Sequence, residues 1–137
     1  MRIALVLCLL AAIVGCGVGT AAPNAEVTPA DLKITVWPEG RGEGSSKTYT
    51  LECAPARGSL PKAASACTQL LKLSKPFTPV PHGSVCTEQY GGPQQALVTG
   101  QYKGRSVWVM FSATNGCQIA RSKRVSFILP GFGNAAA

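Results

Sequence analysis

Four cysteines are the residues best suited to do chemistry in this chain: Cys53, Cys67, Cys86 and Cys117. None belongs to a CxxC pair, and the chain has a single histidine, His82, so the spacing does not suit a zinc site. In an oxidising compartment an even set of cysteines forms disulfides. The four residues allow three pairings, and the sequence alone does not choose among them. We therefore predict two disulfides, no metal and no cofactor.

Groups for catalysis are few. His82 lies among prolines, which is typical of an exposed loop, and Asp31 is the only aspartate. The GxSxG pattern around a hydrolase nucleophile does not occur. Because neither residue has a partner group in a recognisable motif, we predict that the protein is not an enzyme.

The N-terminal residues predict export. Met1 and Arg2 precede an apolar run over residues 3–14, which is typical of a signal peptide. That run is shorter than the roughly 18 residues of a membrane-spanning helix. We expect an extracellular or cell-envelope protein, in a compartment that permits disulfides.

Two cleavage sites stay open. Ordinary cleavage near Ala21 would remove residues 1–21. Residues 13–16 instead fit the lipobox of bacterial lipoproteins, in which residues 1–15 are removed and Cys16 carries a lipid. The second alternative predicts membrane attachment through Cys16.

The formal net charge of +7 bears on partners. Much of the excess comes from Lys103, Arg105, Arg121, Lys123 and Arg124. A basic stripe can bind nucleic acid or anionic lipid, but no recognisable nucleic-acid motif with stacking aromatics accompanies these residues. We predict a solvated face and no nucleic-acid partner.

Hydrophobic periodicity predicts one domain over residues 31–129, between a linker at residues 22–30 and a tail at residues 130–137. Strands are predicted where apolar residues alternate with polar ones. Four strands are centred on Ile34, Leu51, Val98 and Val109. A fifth is predicted from the alternation of Val125, Phe127 and Leu129. Residues 39–47 are predicted as a flexible connection, and residues 100–104 as a hairpin turn.

One helix is predicted from a three-to-four spacing of apolar residues. Ser59 could cap it, Pro61 occupies a tolerated early position, and the apolar face continues to Leu71. Cys67 falls on or beside that face. A bridge from Cys67 to Cys53 would tie this helix to the second strand.

Two stretches of sequence carry a recognisable pattern of motifs. The first contains Cys53, Pro55, Gly58, Pro61 and the pair Ala66 and Cys67. The second runs through Cys86, Thr87, Glu88, Gln89, Tyr90 and Pro93, then Gly104, Val107, Phe111, Asn115 and Cys117. This pattern resembles that of the bacterial subtilisin inhibitor family first known from Streptomyces, and the resemblance covers about residues 31–129.

The resemblance implies an α+β fold with a five-stranded antiparallel sheet and two helices packed on it. It also implies that the cysteines pair in sequence, Cys53 with Cys67 and Cys86 with Cys117. Family members form homodimers through their sheets and inhibit serine proteases, so we expect both here.

The resemblance further assigns a reactive loop at residues 86–90. Thr87 precedes the residue that enters the protease pocket, Glu88, and the scissile bond joins Glu88 to Gln89. Asn115 matches an asparagine that braces the loop from behind. Such a loop binds as a substrate does, and its rigidity favours resealing of the cut bond.

The sequence departs from the family pattern in two places. Glu88 stands where a Met or Lys is usual, and a carboxylate is a poor guest in an apolar pocket because it must lose its water. Gly91, Gly92 and Pro93 replace a shorter aspartate-proline pair. The target could therefore be subtilisin-like, trypsin-like or Glu-specific. The alternative is an envelope lipoprotein that keeps the fold as a binding or structural module without inhibiting a protease.

Overall fold

A computed structural model describes residues 28–132 of the protein. The signal region, Cys16, most of the linker and residues 133–137 of the tail lie outside the described residues. The elements are strands β1 (Ala30–Trp37), β2 (Lys47–Cys53), β3 (Gln95–Tyr102) and β4 (Arg105–Ser112), helices α1 (Ala63–Leu71) and α2 (Gly116–Lys123), and a 3-10 turn (Ser126–Ile128). No helix within residues 28–132 has the length and apolar character to cross a bilayer.

The four strands form one antiparallel sheet in the order β2, β1, β3, β4. Leu32 of β1 lies opposite Leu51 of β2 and Gly100 of β3. Alternate residues of β1 are buried, namely Ala30, Leu32, Ile34 and Val36. This alternation confirms the predicted first strand, because one face of the sheet covers the core while the other faces outward.

The predicted fifth strand is wrong. Residues 126–128 form a 3-10 turn, in which Ile128 N donates to Val125 O over 2.9 Å and Leu129 N to Ser126 O over 3.0 Å. Val125, Ile128 and Leu129 are buried, whereas Phe127 is only half-buried. The first two buried positions are thus three residues apart and the last two are adjacent. This spacing suits a turn and not a strand. The fold class is α+β, with four strands instead of five.

Helix α1 starts later than predicted. The Ser59 hydroxyl does not cap it but accepts a hydrogen bond from Thr50 N over 3.0 Å, and the N-cap position belongs to Lys62. The predicted apolar face is confirmed, since Ala66, Cys67 and Leu70 are buried.

The Cys53–Cys67 disulfide joins α1 to the end of β2, with the two Cα atoms 5.6 Å apart. The core lies between the sheet and α1, and Val125, Ile128 and Leu129 complete it. The hairpin between β3 and β4 is tighter than predicted, because both strands extend until only Lys103 and Gly104 remain in the turn.

Candidate functional site

The segment around the predicted loop projects from the fold. Residues 84–90 form no helix or strand, and within this segment only Cys86 is partly buried. The side chain of Val85 is fully exposed and that of Tyr90 is 66% exposed. This segment is therefore open to contact with another molecule.

The amino side of this loop is fixed to the start of α2. The Cys86–Cys117 disulfide is present, with Cα atoms 5.4 Å apart. One residue on, Gly116 N donates a hydrogen bond to Thr87 O over 3.0 Å. Together the two disulfides confirm the sequential pairing. A covalent bond and a backbone hydrogen bond thus restrain two consecutive loop residues.

Gly116 permits this close approach. A Cβ atom at position 116 would overlap the Thr87 hydroxyl oxygen and lie 3.4 Å from Thr87 Cβ. The absence of a side chain lets the loop lie directly against the helix start. Gly116 was not identified as a site residue from the sequence.

The carboxyl side of the loop is fixed at Gly91. Gly91 N donates to Ala113 O over 2.8 Å, and Gly91 O accepts from Gln94 Nε2 over 3.0 Å. The Gln94 side chain is buried, and a Cβ at position 91 would lie only 3.0 Å from Ile119. Both backbone polar groups of Gly91 therefore have partners in a tightly packed place. Residues 86–91 are therefore held at both ends, at Cys86 and Thr87 on one side and at Gly91 on the other.

Asn115 lies between these anchors. Its side-chain oxygen accepts a hydrogen bond from Gln118 N over 3.0 Å, which makes it the N-cap of α2. Within residues 28–132, no hydrogen bond joins its side chain to residues 86–90. The bracing role of Asn115 stays a prediction. The observed cap holds the helix start that carries Gly116 and Cys117.

Arg121 was predicted to be part of a solvated face, and the structure corrects this. Its Nε donates to Thr78 O over 2.8 Å and its Nη1 to Met110 O over 2.9 Å. The guanidinium carbon lies 4.5 Å from the centre of the Phe111 ring. Desolvation by burial lowers the pKa of Arg121 from its ordinary value. Arg121 therefore joins α2 and β4 to the segment that leads into the loop. This role could not be predicted from the sequence, where Arg121 is only one of several neighbouring basic residues.

Support beneath the loop is uneven. A cleft of about 430 Å³ opens between Gln89, Tyr90 and the helix side chains Ile119 and Lys123, with Phe132 at its wall. Cys86 and Thr87 are instead tied to α2 directly. The residues after the predicted scissile bond are therefore held chiefly through Gly91.

Glu88 is exposed and lies between the anchors. Across residues 28–132 the one ion pair joins Arg57 to Glu52, at 2.7 Å, so no described basic group neutralises the Glu88 carboxylate. In the same residues no three His, Cys, Asp or Glu side chains come together as metal ligands. What the site offers is an exposed, negatively charged peptide segment in a restrained backbone.

Comparison with known proteins finds one family. The subtilisin inhibitor-like family model matches residues 28–115. The subtilisin inhibitor of Streptomyces violaceus is 33% identical over 121 residues, which cover 80% of this chain and 80% of that protein. Kexstatin-1 of Streptomyces platensis is 30% identical over 100 residues, or 66% of each chain. The solved structure of Streptomyces caespitosus sermetstatin in complex with Bacillus licheniformis subtilisin covers 73% of this chain and 96% of its own, at 24% identity and a TM-score of 0.47.

Proposed function

This chain belongs to the subtilisin inhibitor-like family, and on that premise we propose that it is an exported inhibitor of serine endopeptidases. The inhibitory segment is residues 86–90, and the scissile bond joins Glu88 to Gln89. The observation that carries the proposal is the exposed loop between the Cys86–Cys117 disulfide and the hydrogen bond from Gly91 N to Ala113 O.

The two anchors explain how a substrate-like loop would inhibit. The protease serine attacks the carbonyl carbon of Glu88, its histidine takes the serine proton, and the amine of Gln89 is the leaving group. The Glu88 end then remains held through Thr87 and Cys86, and the Gln89 end through Gly91. Because the released amine cannot move away, re-formation of the peptide bond competes with hydrolysis. The restrained loop also loses little entropy on binding.

The charge of Glu88 sets the kind of protease. An apolar pocket would have to remove water from an unpaired carboxylate without replacing its hydrogen bonds. A pocket with a basic side chain would form a charge-assisted hydrogen bond instead. The proposal therefore favours a Glu-accepting serine protease over an enzyme that prefers apolar or basic residues.

Titration of a protease panel with the purified exported protein tests this function. The panel contains a Glu-specific serine protease, subtilisin and trypsin. We expect tight inhibition of the first and, for Glu88→Lys, a switch to trypsin. Glu43→Lys is the matched control, because it makes the same charge change at another exposed position and should leave the inhibition profile unchanged.

Two negative results together would contradict the proposed function. If the wild-type protein inhibits no enzyme and Glu88→Lys inhibits no trypsin, then the loop is not inhibitory. The chain would then be an envelope module that keeps this fold for binding or structure.

The proposed homodimer is supported by the outward face of the sheet. Trp108 is 70% exposed there, and Leu97 and Met110, which are register partners on the same face, are half-buried. Stacking two such faces would remove these side chains from water, at roughly 25 cal/mol per Å² of apolar surface. Sedimentation of the wild type and Trp108→Glu tests it, with a dimer and a monomer as the expected results.

Lipid attachment at Cys16 is the remaining part of the proposal. Cys16 lies outside the described residues, and its neighbours in sequence carry the case for a lipobox. Mass spectrometry of the N-terminal peptide decides between a diacylglyceryl-modified Cys16 and an unmodified terminus near residue 22. Either result is compatible with the inhibitory loop.

A further inference from the structure

We infer that one end of the sheet, remote from the loop, is a docking surface for an anionic membrane. This surface, here called the basic end, consists of Lys72, Lys75, Lys103 and Arg105. Binding of this surface to a membrane does not require protease inhibition. Only the functional meaning of the direction in which the loop points rests on the proposed function.

The chain enters the fold at the basic end. β1 begins at Ala30, which is paired with Tyr102 of β3, and Lys103 N donates to Pro29 O over 2.8 Å. Residues 1–27, which carry the export signal, precede this point in the sequence. Any attachment of the preceding segment to a membrane would therefore tether the protein at the end that carries Lys103.

The loop lies at the other end of the sheet. Trp37, the last residue of β1, is paired with Gln95, and Gln95 is paired with Ser112, the residue before Ala113. Ala113 is the residue that accepts the hydrogen bond from Gly91. β1 has 8 residues, and its ends are separated by roughly 23 Å at about 3.3 Å per residue.

The basic end combines side chains from α1 and the β3–β4 hairpin. Lys103 Nζ donates to Leu71 O and Leu73 O, each over 3.1 Å, which places Lys103 at the carboxyl end of α1. Lys72 is the C-cap residue of that helix. Lys75 and Arg105 line one groove of about 380 Å³. Among the residues that the structure describes, none with an acidic side chain lines that groove.

Acidic residues are distributed toward the opposite end. Glu39 and Glu43 follow β1 in the connection whose Arg41 N donates to the Gln95 side chain, and Glu88 is in the loop. Of the acidic residues within 28–132, two lie near the basic end, Asp31 and Glu52, which are register partners. Glu52 is paired with Arg57, and Asp31 alternates with the buried residues of β1, so it points to the outward face. The groove face of the basic end thus stays positive.

A membrane explains this surface better than nucleic acid does. The aromatic residues at this end are packed on each other, with Phe77 and Tyr102 ring centres 5.4 Å apart, and Tyr102 is buried. They therefore offer no platform on which bases could stack. Anionic lipid needs only clustered cations near the surface, and each adds about fivefold to the partition coefficient. Docking through the basic end would point the loop away from the membrane.

Vesicle binding tests the inference. The protein is prepared without residues 1–21, the product of ordinary cleavage, so that neither the apolar run nor an acyl chain contributes. It is mixed with vesicles of phosphatidylcholine alone or with about one-third phosphatidylglycerol. We expect binding only to the anionic vesicles, weakened by salt because the charges are exposed. The double variant Lys75→Glu with Arg105→Glu should lower the partition coefficient by about thirtyfold or more.

The matched control is Arg41→Glu with Lys47→Glu, which makes the same change in net charge at the loop end. It should lower binding by less than about threefold, because these residues lie away from the docked surface. Lys75 and Arg105 are exposed and their side chains make no hydrogen bond within residues 28–132, so unchanged circular dichroism is expected. Protease inhibition in solution should be unchanged in both variants, which separates this test from that of the loop.

Three results would overturn the inference. Equal losses in the two double variants would mean that net charge alone governs binding. Binding to phosphatidylcholine vesicles that resists salt would mean that the contact is not electrostatic. Binding of soluble polyphosphate without binding of anionic vesicles would assign the surface to a soluble polyanion.

Discussion

The backbone amide of Gly116 lies 3.0 Å from the carbonyl oxygen of Thr87 and donates a hydrogen bond to it. Gly116 is the first residue of α2, whose N-cap is Asn115. An exposed loop is therefore held by the start of a capped helix. The adjacent Cys86–Cys117 disulfide makes the same connection covalently.

Gly116→Ala should weaken inhibition by tenfold or more. The added Cβ would overlap the Thr87 hydroxyl, so either the Thr87 side chain must rotate or the loop must move away from α2. The inhibition constant and the thermal midpoint measure the two effects. Thr87→Ala removes the hydroxyl that the added Cβ would meet. In a protein that already carries Thr87→Ala, Gly116→Ala should therefore weaken inhibition less than it does in the wild type. Equal losses in the two backgrounds would show that the contact does not position the loop.

The two disulfides should separate stability from inhibition. Replacing Cys86 and Cys117 by Ser should convert the protein from an inhibitor into a substrate cut after Glu88, because only the hydrogen bond from Gly116 N to Thr87 O would still hold the acyl side on α2. Replacing Cys53 and Cys67 by Ser is the comparison. It should lower stability by about 3 kcal/mol but leave inhibition intact in the folded protein. Cleavage followed by mass spectrometry distinguishes the variants, and equal susceptibility of both would contradict the assignment.

Arg121→Met should lower the free energy of unfolding by about 1 to 3 kcal/mol. The methionine retains packing on Phe111 but leaves Thr78 O and Met110 O without their donor. Urea unfolding measures the loss, and faster amide exchange around residues 78–81 would show that the approach to the loop has loosened. Lys123→Met is the matched control. Because Lys123 is exposed, that change should stay within about 0.5 kcal/mol.

Gln94→Leu should accelerate hydrolysis at the Glu88–Gln89 bond. The substitution keeps a side chain of similar size but removes the hydrogen bond from Gln94 Nε2 to Gly91 O, which costs about 1 to 2 kcal/mol. Gly91 is the anchor beyond the cut, so the released amine would move more freely. The rate of appearance of cleaved inhibitor during long incubation with protease measures this. An unchanged rate would mean that the Ala113 contact holds Gly91 alone.

Much of the fold could be predicted from periodicity. The strands around Ile34, Leu51, Val98 and Val109 and the buried face of α1 follow directly from alternating or three-to-four spacings. The wrongly predicted strand at residues 125–129 shows that a short alternating pattern does not identify a strand, because alternation over five residues also occurs in a compact turn. Helix α2 has little apolar periodicity and buries only Ser122, so no spacing rule identified it.

The family and the presence of two disulfides could be read from the sequence alone, because cysteine spacing and short motifs are local properties of the chain. Export and a reactive loop that presents Glu88 are predictions from the same local features. The groups that hold the loop are known only from the tertiary structure. Gly116, Gln94 and Arg121 act through backbone carbonyls or close approach, and those contacts leave no characteristic residue pattern. The tertiary structure also decided that the chain enters at the end opposite the loop, since strand pairing sets which residues share an end of the sheet.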